Sequence, residues 1–372
     1  MIKMKSSNIV FGRWGMTAVL INTICTQIFL NFPRTMAEVG GSAGWILALY
    51  ISIIAFIFIS LIIALYSNFQ GKDLLDISEY LGGNILRIIV GLIIIADITF
   101  AVTIILREFG EDMKVIALTT SPISFVTLFF VVGMIFSAYL GIEAVVRLHS
   151  IAVPIIIVGF FTILIGVSPY YDITNIMPIL GSGIYPIFGS GILKVSAYSG
   201  LIVLFILAPF IKTHKDFKAS GYTAVGISTF FLVVSSLVYS LVFPYPTTTE
   251  SFLPIYQLAR IINYGRFFQR VEAIFVLTWA TSALLYLGGG FFYIIYIFKK
   301  TFNLQYHKPL IIPFAILIFT LSLIPPSLMS AVRIETEVFR SIALIVSFII
   351  PLILLTFANI KINISRKGGP RK

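Results

Sequence analysis

The chain has 372 residues, of which 59% are hydrophobic and only 11% are charged. A water-soluble fold of this size cannot bury that much apolar surface, so the composition excludes a soluble enzyme or binding domain. The net charge of +11 is divided among short loops and the C-terminal segment. That distribution is typical of membrane topology and argues against nucleic acid as a partner.

Apolar runs recur about ten times along the chain. A helix needs roughly 20 apolar residues, at about 1.5 Å each, to cross about 30 Å of hydrocarbon. The runs are continuous and do not alternate with polar residues, which predicts helices and not a β-barrel. We predict an all-α polytopic membrane protein with spans near Trp14–Asn31, Ala43–Ser67, Ile85–Leu106, Pro122–Leu140, Val146–Val167, Ile187–Ile211, Ala219–Phe243, Val271–Phe298, Leu310–Pro325 and Ser341–Ala358.

Ten spans divide into two halves of five, and an odd number of crossings gives the halves opposite orientations. Residues 1–372 are therefore predicted to form one membrane domain with two inverted repeats, 9–167 and 187–358, followed by a basic tail, 359–372. With a cytoplasmic N-terminus, seventeen Lys and Arg residues lie inside, eight lie outside and Lys194 lies within a span. The positive-inside rule then places both termini in the cytoplasm, where the tail can contact anionic lipid.

Polar residues interrupt the first and the sixth spans, which occupy corresponding positions in the two halves. The first contains Asn22 to Gln27 and then Pro33, and the sixth contains Ser196 to Gly200. Paired broken helices in inverted repeats indicate a transporter-type binding site. Free N–H groups there can hold a carboxylate and free carbonyl groups an ammonium, which suits an amino acid. The alternative is that these residues only pack against neighbouring helices.

The candidate ligand-binding residues lie at these two breaks and on the third and eighth spans. Asp97 is either part of a polar pathway or a protonated side chain with a structural hydrogen bond. The full candidate set is Thr26, Gln27, Asp97, Ser196, Tyr198, Ser199, Gly200, Thr278 and Ser282.

Three further charged residues are candidates for a gate or a charge pair. Lys194 can attract a ligand carboxylate, pair with Asp97 or extend to the interface. Glu143 and Arg147 have the spacing of a local helical ion pair, with an inner gate as the alternative.

No residue pattern predicts catalysis, a metal site or a cofactor. Cys25 is the single cysteine, so neither an internal disulfide nor a cysteine metal cluster can form. His149, His214 and His307 fall in predicted cytoplasmic loops, where we expect them to be solvated. We therefore expect no enzyme.

Several segments in order along the chain carry a family resemblance. They are Phe32-Pro33-Arg34, Leu106-Arg107-Glu108-Phe109, Gly141-Ile142-Glu143-Ala144-Val145-Val146-Arg147, Met177-Pro178-Ile179-Leu180-Gly181-Ser182-Gly183-Ile184 and Ile324-Pro325-Pro326-Ser327. Together they resemble the landmarks of the spore germination permease family, the B subunits of nutrient-germinant receptors. Order, spacing and length agree over nearly the whole chain.

This resemblance implies a place in the amino acid-polyamine-organocation superfamily, with ten helices in two inverted repeats. It also implies an A-type subunit and a lipid-anchored C-type subunit as partners in the inner spore membrane, and a small nutrient, often an amino acid, as ligand. The chain departs from the family at Cys25-Thr26-Gln27, where members commonly have a Gly-Thr-Gly-like stretch. Glycine lets a ligand approach the backbone, so this departure predicts a pocket of altered shape.

Two functions follow from the same predicted site. One is a germinant-sensing receptor subunit, and the other is an autonomous amino-acid permease, with proton coupling through Asp97 as one option. An ion conduit formed with partner subunits is a third hypothesis.

Overall fold

The computed structural model describes residues 11–263 and 271–367, with side chains described as far as Ser365. Within those ranges the chain is helical, and the one β-type contact is an isolated parallel bridge between Phe11 and Ile211. The α-helices are α1 Arg13–Cys25, α2 Phe32–Gly40, α3 Gly44–Tyr66, α4 Leu74–Ile116, α5 Ile123–Leu140, α6 Ile142–Gly166, α7 Ile202–Ile206, α8 His214–Val242, α9 Pro254–Ile261, α10 Glu272–Thr301, α11 Lys308–Ser322, α12 Leu328–Arg333, α13 Arg340–Leu344 and α14 Ile350–Lys367.

The described residues contain eight helical segments that are long and apolar enough to cross a membrane. The shorter apolar helix α11 supplies the ninth predicted span. The first span consists of α1 and α2, joined by a 3-10 turn at Thr26–Phe29, and it reaches Gly40, beyond the predicted end at Asn31. The predicted architecture of ten spans, with the first and sixth interrupted, is confirmed.

Several predicted boundaries differ from the structure. Helix α4 begins at Leu74 and not near Ile85, because Asp73 caps an inner-surface helix that turns into the span at Gly82 and Gly83. The tenth span begins at Leu328 and not at Ser341, and it passes through π-helical segments at Ile334–Phe339 and Ile345–Ile349. Helix α14 reaches Lys367, so most of the predicted tail is helical.

Some predictions fall outside the described ranges. Residues 9–10 of the first predicted repeat, residues 368–372 of the predicted tail, and Arg266 and Arg270 of an outer loop belong to this group.

Spans that are five positions apart in the chain pack against each other. Helix α3 packs on α8, α4 on α10, and α5 on α11, while α1 contacts the irregular sixth span. This pairing is the arrangement that a two-fold axis in the membrane plane produces. The repeat bounds 9–167 and 187–358 stay predictions.

Large apolar side chains cover the sides of the bundle. Ile85 is 74% exposed, Leu277 70% and Ile151 66%. Such a surface suits a protein whose solvent is lipid. We name the two ends of the bundle inner and outer after the predicted topology, with the start of α1 at the inner end.

Candidate functional site

The first span breaks where the polar residues predict it. Helix α1 ends at Cys25, and Leu30 leaves helical geometry with φ −97° and ψ −120°. Helix α2 then starts with Pro33 in its first turn, where the missing N–H costs nothing. The chain thus crosses the middle of the bundle as two half-helices.

The sixth span is irregular over a longer stretch than Ser196–Gly200. A π-helical segment, Tyr185–Gly189, leads into a 3-10 helix over Ser190–Leu201 before α7 begins. Such 3-10 helices rarely exceed four residues, so twelve in succession mark a departure from ordinary helix packing. Proline in the first segment and several small residues in the second favour this departure.

The two broken spans meet through Gln27 and Gly200. The Gln27 side-chain amide Nε2 donates to the carbonyl oxygens of Ala197 at 2.7 Å and Ile24 at 2.9 Å. A Cβ placed on Gly200 would lie 2.8 Å from Thr23 Cγ2. The glycine therefore permits the backbones to approach, and the glutamine holds them together.

A buried hydrogen-bonded group ties the first break to α10. Ser282 Oγ donates to Asn22 Oδ1 at 3.0 Å, and the Ser282 and Thr26 hydroxyls lie 3.0 Å apart. Asn22 Nδ2 also donates to the Ser282 carbonyl at 3.2 Å. The predicted residues Thr26 and Ser282 are thus together, whereas the Thr278 hydroxyl donates to carbonyls of its own helix.

Two predicted residues of the sixth span serve local structure. The Tyr198 hydroxyl donates to Ser52 Oγ at 2.7 Å and lies 3.0 Å from Thr229 Oγ1. The Ser196 hydroxyl donates to the Leu193 carbonyl at 3.0 Å. Their neighbours Ser199 and Gly200 instead line a cavity.

That cavity also contains Asp97. Its volume is about 40 Å³, and Thr23, His149, Tyr286 and Tyr293 complete its polar lining. In the described part of the chain, neither Asp97 Oδ1 nor the Tyr293 hydroxyl has a hydrogen-bond partner. We name it the Asp97 cavity.

The expectation that His149 is solvated in a loop is wrong. His149 is 1% exposed in α6, and its Nδ1 lies 2.7 Å from the Val145 carbonyl. The histidine therefore presents its remaining ring nitrogen within the protein interior.

A second and smaller cavity, of about 10 Å³, lies on the outer side of the breaks. It is lined by Gln27, Ser196 and Lys194, together with Glu335 and Arg340. Arg340 Nε lies 2.5 Å from Glu335 Oε1, and Arg340 Nη1 reaches the Ser196 carbonyl at 3.5 Å. Lys194 thus lies with this ion pair and does not line the Asp97 cavity.

Sequence reasoning missed Glu335, Arg340 and Tyr286 as site residues. Glu335 and Arg340 precede the predicted tenth span and therefore looked like outer-loop charges. Their five-residue spacing in a largely apolar region is the signal that could have indicated a buried pair. Tyr286, seven residues before Tyr293 of the same cavity, gave no comparable signal.

Glu143 and Arg147 form an ion pair on the surface. They bond at i,i+4 spacing on α6, and their side chains are 50% and 76% exposed, respectively. Such an exposed pair contributes about 0.3–0.5 kcal/mol. Its role as a gate remains a prediction.

The fold and the two meeting breaks define a membrane protein of the broken-helix, inverted-repeat class. Solved structures support this class. The structure titled MhsT in complex with L-phenylalanine matches with a TM-score of 0.68 at 16% identity, over 95% of this chain and 89% of that one. Mhp1, a nucleobase-cation-symport-1 family transporter, matches with a TM-score of 0.61 at 10% identity, over 92% and 78%.

The sequence comparisons give the family. A family model described as "Spore germination protein" matches residues 15–329, and this chain belongs to that family. Spore germination protein B2 of Bacillus subtilis (strain 168) is 22% identical over 74% of this chain and 75% of its own length. Spore germination protein YndE of the same strain is 23% identical over 92% and 94%, and A2 is 25% identical over 83% and 85%.

We expect Gly200→Ala to destabilise the contact between the broken spans. The added methyl group would press on Thr23 Cγ2 where the two broken spans touch, and overpacking of this kind costs about 1–3 kcal/mol. Thr23→Ser removes that methyl group and should restore most of the stability in the double variant. Thermal denaturation in detergent measures both effects.

Gly226→Ala is the matched control, because a Cβ at Gly226 has nothing within 4 Å. Equal melting temperatures for Gly200→Ala and Gly226→Ala would show that the spans do not depend on this close approach.

Proposed function

We propose that this protein is the membrane-embedded B subunit of a nutrient-germinant receptor and binds a small nutrient where the first and sixth spans break. The meeting of the two breaks at Gln27 and Gly200 is the observation that carries the proposal. Gln27 Oε1 is buried and has no hydrogen-bond partner in the described ranges. A ligand donor group, such as an ammonium, would satisfy it.

Asp97 and Ser199 line the Asp97 cavity beside Gly200, and Gln27 lines the smaller outer cavity, so polar atoms lie on both sides of the contact between the breaks. The ligand class that suits them is a small zwitterion, since the half-helix end offers N–H groups and Asp97 offers a carboxyl group. The two cavities have room for only a few water molecules. Ligand entry therefore requires the broken spans to separate, which makes binding a shift between two states.

Signalling follows from the same shift. A ligand that prefers the open state changes the population of that state only by its differential affinity. In this proposal A-type and C-type subunits read the change in the inner spore membrane, with both termini of this subunit in the cytoplasm. The names of the relatives, all spore germination proteins, support this assembly.

An autonomous amino-acid permease is the second candidate. The observation that favours it is the fold itself, which the chain shares with the structure titled MhsT in complex with L-phenylalanine. The same cavity would then open alternately to each side. Uptake of a radiolabelled ligand by proteoliposomes of the single subunit separates this function from sensing.

The first experiment is thermal stabilisation of the purified protein by a panel of amino acids, sugars and nucleosides. A ligand that binds only the folded state at 100 times its Kd adds about 2.7 kcal/mol of stability. We expect an amino acid to stabilise wild type and to fail with Ser199→Trp, whose indole would fill the Asp97 cavity.

Leu277→Trp is the control, because it places the same indole on the lipid-facing side of α10, where Leu277 is 70% exposed. Stabilisation that survives Ser199→Trp would contradict the assigned site. Absence of any stabilising compound would contradict binding by this subunit.

A further inference from the structure

Helix α4 carries three buried acids on one face. Asp97, Glu108 and Asp112 are 5%, 1% and 2% exposed. Their spacings of eleven and four residues correspond to about three turns and one turn, so the carboxyl groups lie in one row along the helix. Asp97 Oδ1, Glu108 Oε1 and Asp112 Oδ1 all lack hydrogen-bond partners among the residues described.

The outer part of this row contains more carboxyl groups than cations. Glu108 is within electrostatic range of Glu335, Asp112 and Arg340. Asp112 is near Glu111, which is held by Arg107 at 2.7 Å. The four carboxyl groups face three cations, namely Arg107, Arg340 and the more distant Lys194.

An unpaired carboxylate in these buried surroundings is energetically unfavourable. Burial of an ionised carboxyl group without a partner costs several kcal/mol, and binding a proton removes most of that cost. The Asp97 cavity has room for a few waters and is too narrow for a hydrated metal ion. The proton is therefore the cation that these groups can accommodate.

Tyr286 connects the outer acids with Asp97. It lies on α10, lines the Asp97 cavity and is within electrostatic range of Asp97, Glu108, Glu335 and Arg340. At the outer end Asp112 lines a surface cavity of about 450 Å³. At the inner end His149 and Tyr293 line the Asp97 cavity. Ionisable groups thus extend from the outer surface to the centre of the bundle.

We propose that the acidic face of α4 is a proton-access route from the outer surface to Asp97, by way of Asp112, Glu108 and Tyr286. In the central step the Glu108 carboxyl group gives its proton to a chain of water molecules that includes the Tyr286 hydroxyl group, each member accepts one proton and passes on its own, and the Asp97 carboxylate takes up the last one. Glu108 is left as a carboxylate beside Arg340, Tyr286 stays neutral, and one proton has moved. This route does not depend on the proposed nutrient.

Infrared spectroscopy of the purified full-length protein in lipid tests the route without a ligand. We expect a carbonyl band of protonated carboxyl groups at neutral pH. Asp97→Asn and Glu108→Gln should each remove part of it. After transfer to D2O, Tyr286→Phe should keep the Asp97 part of the band but slow its hydrogen–deuterium exchange at least tenfold.

Glu337→Gln is the matched control, because Glu337 lies two residues from Glu335 but is 60% exposed and bonds to Arg333 on the surface. It should leave both band and exchange rate unchanged. All of these substitutions are close in size, and size-exclusion chromatography checks folding. A band that neither Asp97→Asn nor Glu108→Gln reduces, or wild-type exchange in Tyr286→Phe, would overturn the proposal.

Discussion

Lys300→Met should lower the free energy of unfolding by about 2–4 kcal/mol, somewhat less than the cost of about 3–5 kcal/mol for a fully buried ion pair, because the Lys300 side chain is 25% exposed. Lys300 Nζ lies 2.6 Å from Asp73 Oδ2 and 2.7 Å from Asp76 Oδ1 at the inner end of the bundle. The Asp73 side chain is only 3% exposed. Without the ammonium, two neighbouring carboxylates are left facing each other.

The position of this pair explains the size of the effect. Asp73 is the N-cap of α4 and accepts the N–H groups of Leu75 and Asp76 at 3.0 and 2.9 Å. Lys300 lies in the last turn of α10, which packs along α4. Lys300 therefore holds the inner ends of α4 and α10 together. Methionine has a side chain of similar length but no charge.

Chemical denaturation in detergent micelles measures the loss. Lys299→Met is the control, since no ion pair of Lys299 is found within the described residues. Adding Asp73→Asn to Lys300→Met should recover a large part of the stability, because asparagine is a good N-cap without a charge. If Lys300→Met and Lys299→Met unfold alike, the pair contributes nothing to the association of α4 with α10.

The number and type of spans were predictable because the bilayer imposes them. A backbone in hydrocarbon must form helices, and hydropathy locates each one to within a few residues. The breaks at Thr26 and Ser199 were predictable for the same reason, since polar groups at membrane depth stand out against an apolar sequence. Their meeting in space required the further inference of an inverted repeat.

The environment of His149 could not be predicted from its own neighbours in sequence. The predicted fifth span starts at Val146, which places the histidine at the interface, whereas α6 starts at Ile142. The glycines of α10 also allow the burial of His149, because a Cβ at Gly289 would come within 3.6 Å of His149 Cε1. The Gly288-Gly289-Gly290 stretch thus makes room for a side chain from another span.

The burial of Glu335 and Arg340 also could not be predicted from the local sequence. Local sequence favours an outer loop for both, and their burial depends on α4 and the sixth span, which lie far away in the chain. This ion pair lines the same cavity as Lys194. Which charged groups face each other is a property of the tertiary packing, and hydropathy carries no information about it.

Thr26 and Gln27, which lie where family members commonly have a Gly-Thr-Gly-like stretch, both make side-chain contacts with other spans. The Gln27 amide spans the gap to Ala197, and Thr26 joins Ser282, so side chains occupy space that glycines would leave free. We therefore expect a pocket that is more polar and more filled than one with glycines at these positions.

Gly181→Ala is expected to destabilise the outer end of the first span by about 2–5 kcal/mol. Gly181 has φ +45°, and a Cβ there would collide with the Gly40 carbonyl oxygen and lie 2.8 Å from the Ala43 nitrogen. Overpacking costs about 1–3 kcal/mol, and a left-handed backbone about 1–2 kcal/mol. Both obstacles are backbone atoms, which cannot move as a flexible side chain can.

The contact lies between the loop that follows α6 and the end of α2. Ser182 N donates to the Gly40 carbonyl at 3.1 Å, and the Ser42 hydroxyl donates to the Pro178 carbonyl at 2.6 Å. The segment 177–184, which is part of the family resemblance, therefore packs against the end of α2 and the turn that follows it. Its glycines let the loop lie directly on the backbone of the outer half of the broken first span.

Gly71→Ala is the matched control for Gly181→Ala. Gly71 also has a positive φ, +75°, but a Cβ there meets nothing within 4 Å, so only the cost of about 1–2 kcal/mol for the left-handed backbone remains. Thermal denaturation of both variants in detergent separates the collision from the backbone strain. Equal losses of thermal stability in the two variants would show that the loop shifts to accommodate the methyl group at Gly181 and does not hold α2 in place. A much larger loss for Gly181→Ala would establish that the outer half of the broken span is held by this loop, and ligand entry would then have to move both together.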